Sequence, residues 1–93
     1  MEYFKKLNAI RDFLKVEFEN GEVSDTYESD RFAQTFTIGE ENKIYLISIK
    51  RRFIDGHKID DIPYVLKKTN IRDYFYDKDL RRVTIDTSGI TAE

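Results

Sequence analysis

The chain of 93 residues contains no cysteine. That excludes a disulfide framework, a thiolate zinc site and a cysteine nucleophile, so stability has to come from packing alone. Long apolar runs are also missing. No stretch approaches the roughly 18 residues that a spanning helix requires, and the N-terminal MEYFKKLNAIRDF mixes charges with apolar residues where a leader would need an unbroken apolar core. The expectation is a soluble, cytoplasmic protein. Only four glycines are present, all at turn-like positions, and there is no phosphate-cradling glycine loop, no G-x-S-x-G and no metal-binding histidine pair. The single histidine, His57, sits in a charged stretch just past a turn, where the ordinary reading is plain surface. No nucleophile and base are placed together, so the chain reads as noncatalytic, with no cofactor and no metal.

Large apolar side chains are present in quantity. Seven Phe and six Tyr within a 40% apolar composition are enough for one modest core. The reading is one folded domain over 1–93, with the last few residues as a possible disordered tail. Charge is unevenly placed: residues 1–49 carry a net −4, residues 50–82 a net +4, and the remainder restores the total of −2. Such asymmetry can mark a face for nucleic acid or an acidic partner, although a highly charged surface also sorts this way by chance.

Periodicity gives the organisation. Tyr3, Leu7, Ile10 and Leu14 recur at helical spacing, with Phe4 and Phe13 widening the stripe, which predicts an amphipathic helix over Glu2 to Lys15. Val16 and Phe18 then alternate with Glu17 and Glu19 ahead of Asn20-Gly21. This favours a short strand, a tight turn and a second strand from Val23 to Tyr27; a helix running on to Asn20 is the alternative. Arg31 to Ile38 alternates as a half-buried strand, Gly39 to Asn42 forms a hairpin loop, and Lys43 to Ile54 is the partner strand. In that strand Tyr45, Ile47, Ile49, Arg51 and Phe53 share one face, and Ile44, Leu46, Ser48, Lys50, Arg52 and Ile54 share the other.

Asp55-Gly56 is a second hairpin signal, with His57 to Ile59 pairing back. Asp60 or Asp61 then caps a helix with Pro63 in its first turn, Val65 and Leu66 face the core, and Asn70 separates a further helical segment, Ile71 to Lys78. A strand from Arg81 to Asp86 points Val83 and Ile85 inward, and Thr87-Ser88-Gly89 closes it. The class is α+β: an N-terminal helix, an antiparallel sheet of about four or five strands, helical segments near 61–78 and a final strand near 81–86. This order is similar to layouts of secretion chaperones and nuclease cores, but no residue motif assigns the chain to either.

Three function classes bear on these residues. Asp30 followed by Glu41-x-Lys43 resembles the metal-dependent nuclease pattern, in which two carboxylates hold Mg²⁺ and a lysine stabilises developing charge. Here, however, the E-x-K falls on a predicted loop, where acid and lysine share no strand face. Nucleic-acid binding has more residues behind it. Lys50, Arg51, Arg52, Lys58, Lys67, Lys68, Arg81 and Arg82, with Tyr64, Tyr74 or Tyr76 at the edge, would form a stacking and phosphate-binding patch if brought together, though Asp55, Asp60, Asp61, Asp73, Asp77 and Asp79 are interleaved with them. Protein association rests on Ile44 and Leu46. Their strand is apolar on both faces in its first half, and a single layer of helices covers only one, leaving these two for a further helix, a protein partner or a second copy in a homodimer. The preferred expectation is a small binding or adaptor domain acting through protein association.

Overall fold

The structure is a computed structural model and describes residues 2–92. Helix α1 (Glu2–Glu17) buries Lys6, Leu7, Ile10 and Leu14 along one face. It is followed by the meander β1 (Glu22–Glu28), β2 (Ala33–Glu40) and β3 (Lys43–Lys50), three short helices α2 (Arg51–Gly56), α3 (Ile62–Lys68) and α4 (Ile71–Lys78), and strands β4 (Arg82–Asp86) and β5 (Gly89–Ala92). The sheet order is β1-β2-β3-β4-β5. Every pair is antiparallel except β3–β4, which run parallel because the chain returns to the sheet through the three helices. The α+β class holds, with a mixed sheet.

One face of this sheet and the buried sides of the helices make the core. Phe36, Ile38, Tyr45, Ile47, Ile49, Val83 and Ile85 all project to the same side and cluster with Leu7, Ile10, Leu14, Phe18, Phe53, Ile54, Ile62, Leu66, Ile71 and Phe75. Phe18, Tyr45 and Phe75 form an aromatic group, the last two with ring centroids 4.9 Å apart.

Three local expectations are corrected. Val16 and Phe18 do not form a strand: the helix continues to Glu17, Phe18 N–H donates to Leu14 carbonyl at 2.8 Å, and a turn leads into β1. Phe18 extends the helical stripe one turn beyond Leu14 and is 1% exposed, while Val16 points outward at 74%. Gly21 then lets the chain pass close to the sheet, since a Cβ there would lie 2.8 Å from Ile38 Cγ2. Second, β3 stops at Lys50, and Arg51–Gly56 is helix, so Asp55-Gly56 makes no hairpin and His57 to Ile59 do not pair back. Adjacent Phe53 and Ile54 both join the core cluster, which successive residues of a strand, pointing to opposite faces, cannot do against one layer but a helix can. Third, Asp61 occupies the N-cap position of α3 without a side-chain capping bond. The Lys58 carbonyl accepts from the Asp61 and Ile62 amides instead. The loop expected over Gly39 to Asn42 is a two-residue turn, with Gly39 paired to Ile44 and Glu40 to Lys43, while Ile71 to Lys78 is helical with Asn70 in the left-handed region before it.

Candidate functional site

The face of the sheet opposite the helices carries Ser24, Thr26 and Glu28 of β1, Thr35 and Thr37 of β2, Ile44, Leu46, Ser48 and Lys50 of β3, and Arg82 and Thr84 of β4, following from register. None of these belongs to the core cluster, and among the described residues no helix packs on them. Ile44 is 59% exposed and Leu46 half-buried. The two apolar residues singled out by alternation therefore lie side by side in the middle strand of an uncovered face.

Beside them runs a polar row across four strands. Arg82 Nη2 donates to Glu28 Oε1 at 2.6 Å and to Ser48 Oγ at 3.0 Å. The Thr35 hydroxyl donates to Glu28 and lies 3.0 Å from Ser48 Oγ. These long side chains shield the two hydroxyl residues, so Thr35 and Ser48 are buried although no helix covers them. The Thr35 hydrogen bond, with the Arg82 and Arg31 charges behind it, holds the Glu28 carboxyl below its usual range. At the far end of the same sheet, Arg52 Nε donates to Asp86 Oδ1 at 2.7 Å, and that bond, aided by the Thr87 amide, lowers the Asp86 carboxyl to about 2.

The basic residues are divided between the two sides of the molecule. Lys50 and Arg82 lie on the uncovered face, Lys50 Nζ donating to Arg31 carbonyl at 2.7 Å. Arg52 is on α2 and engaged by Asp86, Arg81 is exposed just before β4, and Lys58 lies in the connection from α2 to α3. Lys67 and Lys68 end α3, in the helical layer, with Lys68 Nζ 4.3 Å above the Tyr64 ring. Tyr74 is half-buried against the core, and Tyr76 donates to Glu40 Oε1 at 2.5 Å. Arg51 stacks 4.3 Å from the Tyr3 ring.

The nuclease-like trio is not assembled. Asp30 lies in the β1–β2 turn, whereas Glu41 and Lys43 are at the β2–β3 turn, with all eight residues of β2 between the two turns, about 25 Å of extended chain. Among the described residues no group of three or more His, Cys, Asp or Glu is arranged to hold a metal. His57 Nδ1 is 2.7 Å from Phe53 carbonyl and its ring stacks on Phe53, a packing role.

A second feature escaped the sequence reading. A cleft of about 590 Å³ opens between α1 and strand β1, lined by Tyr3, Phe4, Leu7, Asp25, Tyr27 and Gln34 among others. Its floor is a hydrogen-bonded chain: Tyr3 OH to Gln34 Oε1 at 3.1 Å, Gln34 Nε2 to Asp25 Oδ2 at 2.7 Å, and Arg11 Nε to Asp25 Oδ1 at 2.9 Å. Phe4, expected to widen the apolar stripe of α1, instead lines this cleft at 62% exposure.

No family model, no curated protein and no solved structure matches this chain. Among the described residues no helix is long and apolar enough to cross a membrane.

Proposed function

We propose that this chain is a noncatalytic, cytoplasmic binding or adaptor domain that acts through protein association, and that its uncovered sheet face docks a second copy of itself. The observation that carries this reading is the position of Ile44 and Leu46, exposed and half-buried, in the middle strand near the β2–β3 turn, on a face on which no described element packs. The dimensions suit a small dimer. Five strands spaced about 4.8 Å apart, and up to eight residues long, offer roughly 500 Å² per copy, so two faces bury about 1,000 Å² in total, the lower bound for a biological interface. Glu28 and Arg82 neutralise each other within each copy, and Lys50, the further cation on the face, donates to the Arg31 carbonyl.

Sedimentation equilibrium is the test. The wild type is expected at twice its 11.1 kDa mass, with little response to salt where Ile44 and Leu46 make the contact. Ile44→Lys is expected to be folded and monomeric, with a melting temperature that no longer rises with protein concentration as the wild type's does. A wild type that stays monomeric to about 1 mM, a concentration that reveals even weak association, overturns the reading.

A second reading has one observation of its own, the exposed Tyr64 ring beside Lys67 and Lys68 on α3. Stacking plus phosphate neutralisation there predicts single-stranded nucleic-acid binding that weakens steeply with salt. Fluorescence anisotropy with labelled oligonucleotides at low and moderate salt, and no binding at either, removes it.

A further inference from the structure

At the β2–β3 turn the helix-covered face of the sheet changes from apolar to charged. Ile38 and Tyr45 are buried on that face, and alternation sets Glu40 and Lys43, each two residues away from one of them, on the same side and directly opposite each other. Helix α4 changes in the same way. It buries Ile71 and Phe75, and the residues that follow each of them, Arg72 and Tyr76, are exposed one turn apart. These two pairs line a half-open cavity of about 440 Å³, whose wall also includes Glu41 and whose one buried member is Tyr45.

Tyr45 is the anomaly in this wall. It is 3% exposed and its ring packs on Phe18, Phe75 and Tyr76, yet among the described residues its hydroxyl makes no hydrogen bond. A buried hydroxyl without a partner carries a cost that the same ring without the oxygen would not. Burial, with the Glu40 charge behind it, raises the phenol above its ordinary range, so the group stays protonated and can donate. The charged residues are not paired off either. Among the described residues none of Glu40, Glu41, Lys43 and Arg72 makes an ion pair. Glu40 accepts from the Tyr76 hydroxyl at 2.5 Å, and the Arg72 guanidinium carbon sits 5.3 Å from the centre of the Tyr76 ring.

These charges decide what the cavity can hold. A phosphate or another dianion would meet Glu40 and Glu41, and a simple cation would meet Lys43 and Arg72. An apolar molecule would leave the Tyr45 hydroxyl without a partner and strip water from the charges. A small molecule carrying one charge of each sign suits both sets, and the volume falls within the range of small-molecule sites. We infer that this cavity binds a free α-amino acid as its zwitterion, the carboxylate held by Arg72 and the Tyr45 hydroxyl and the ammonium by Glu41. The site lies on the helix-covered side of the sheet and is separate from the face that carries Ile44 and Leu46.

The probes are the twenty common amino acids, each titrated singly into isotope-labelled protein to about 10 mM or its solubility limit and followed by amide NMR spectra. At least one is expected to bind with a dissociation constant on the order of 0.1–1 mM, shifting the signals of residues 40–45, 72 and 76. For that ligand the N-acetyl derivative, which loses the ammonium, and the methyl ester, which loses the carboxylate, are each expected to bind roughly tenfold more weakly. Tyr45→Phe removes only the oxygen. It is expected to weaken binding roughly fivefold while the melting temperature holds or rises, since an unpartnered hydroxyl leaves the interior. Arg72→Gln, on the exposed side of α4, is expected to melt as the wild type does and to bind roughly tenfold more weakly. No binding by any of the twenty, equal binding of the acetylated or esterified form, or a Tyr45→Phe protein that binds as well as the wild type or melts well below it would overturn the inference.

Discussion

Replacing Thr35 with valine tests the polar row on the uncovered face, because it deletes one hydroxyl while keeping the branched shape. Thr35 is 3% exposed, and its hydroxyl donates to Glu28. A hydrogen bond to an ionised group contributes about 1.5–3 kcal/mol. The methyl that replaces the hydroxyl returns roughly 0.8 kcal/mol. Glu28 and Arg82 keep some access to solvent, with side chains 28% and 21% exposed, so part of the loss is recovered by water. The net expectation is a loss of about 1 kcal/mol at pH 7, and for a chain of this length, with an unfolding entropy near 0.2 kcal/mol/K, a fall of about 5 °C in melting temperature. The pH dependence is the sharper part. Glu28 has a lowered folded pKa, so its contribution is complete above the ordinary carboxylate range and is lost as pH falls through the lowered value. The valine variant, whose Glu28 sits nearer the ordinary range, has less to lose. The gap between the two melting temperatures should therefore narrow between pH 7 and about pH 3. Thermal unfolding by circular dichroism across that range is the assay, and a gap that is constant with pH would show that the hydroxyl does not act through the ionised carboxylate.

Two further substitutions separate competing effects elsewhere in the fold. Lys6 is 8% exposed, and its Nζ donates to Ile54 carbonyl at the end of α2 at 3.1 Å; Lys6→Met keeps the stem but loses a charge-assisted bond at a helix C-terminus, an expected cost of about 1.5 kcal/mol in urea unfolding. A more stable Met variant would mean that burying the ammonium costs more than the bond contributes. Asp79 ends α4 in the left-handed region at φ 51°, as an acid at the negative end of the helix dipole; Asp79→Gly relieves both conditions against some loss of chain entropy and is expected to raise stability by about 0.5–1 kcal/mol, a gain of a few degrees by calorimetry.

Sequence periodicity located α1, β2, the Lys43 to Lys50 part of β3, α4 and β4 closely, and failed at two junctions for one physical reason. Val16-Glu17-Phe18-Glu19 and Arg51-Arg52-Phe53-Ile54 are four-residue windows in which alternation and helical spacing cannot be told apart. Only the identity of what each side chain meets decides. Phe18 reaches the Tyr45 and Phe75 rings one helical turn beyond Leu14, and the parallel pairing of β3 with β4 obliges the chain to leave the sheet after Lys50. A hairpin at Asp55-Gly56 would have satisfied the local signal while giving the chain no path to the near end of β4.

The candidate surfaces were legible to different degrees, and parity explains the difference. Strand alternation is a property of one segment, so it could place Ile44 and Leu46 opposite Tyr45 and Ile47 without any knowledge of topology, and they occupy that side. Whether Lys50 meets Arg82 or Lys67 depends on sheet order and on which side the helices pack, which no single segment encodes. The same holds for the β1 edge. Its acidic residues were visible, but that Val23, Asp25 and Tyr27 turn their backbone outward follows from one hydrogen bond three strands away, Leu46 to Arg81, transmitted through register. A shift of that register by one residue would reverse the prediction, turning Ser24 and Thr26 outward and moving every side chain of β1 to the other face. Amide exchange in the free protein reads this phase directly: slow exchange at Ser24 and Thr26 with fast exchange at Val23, Asp25 and Tyr27 supports it, and the opposite alternation would refute the register.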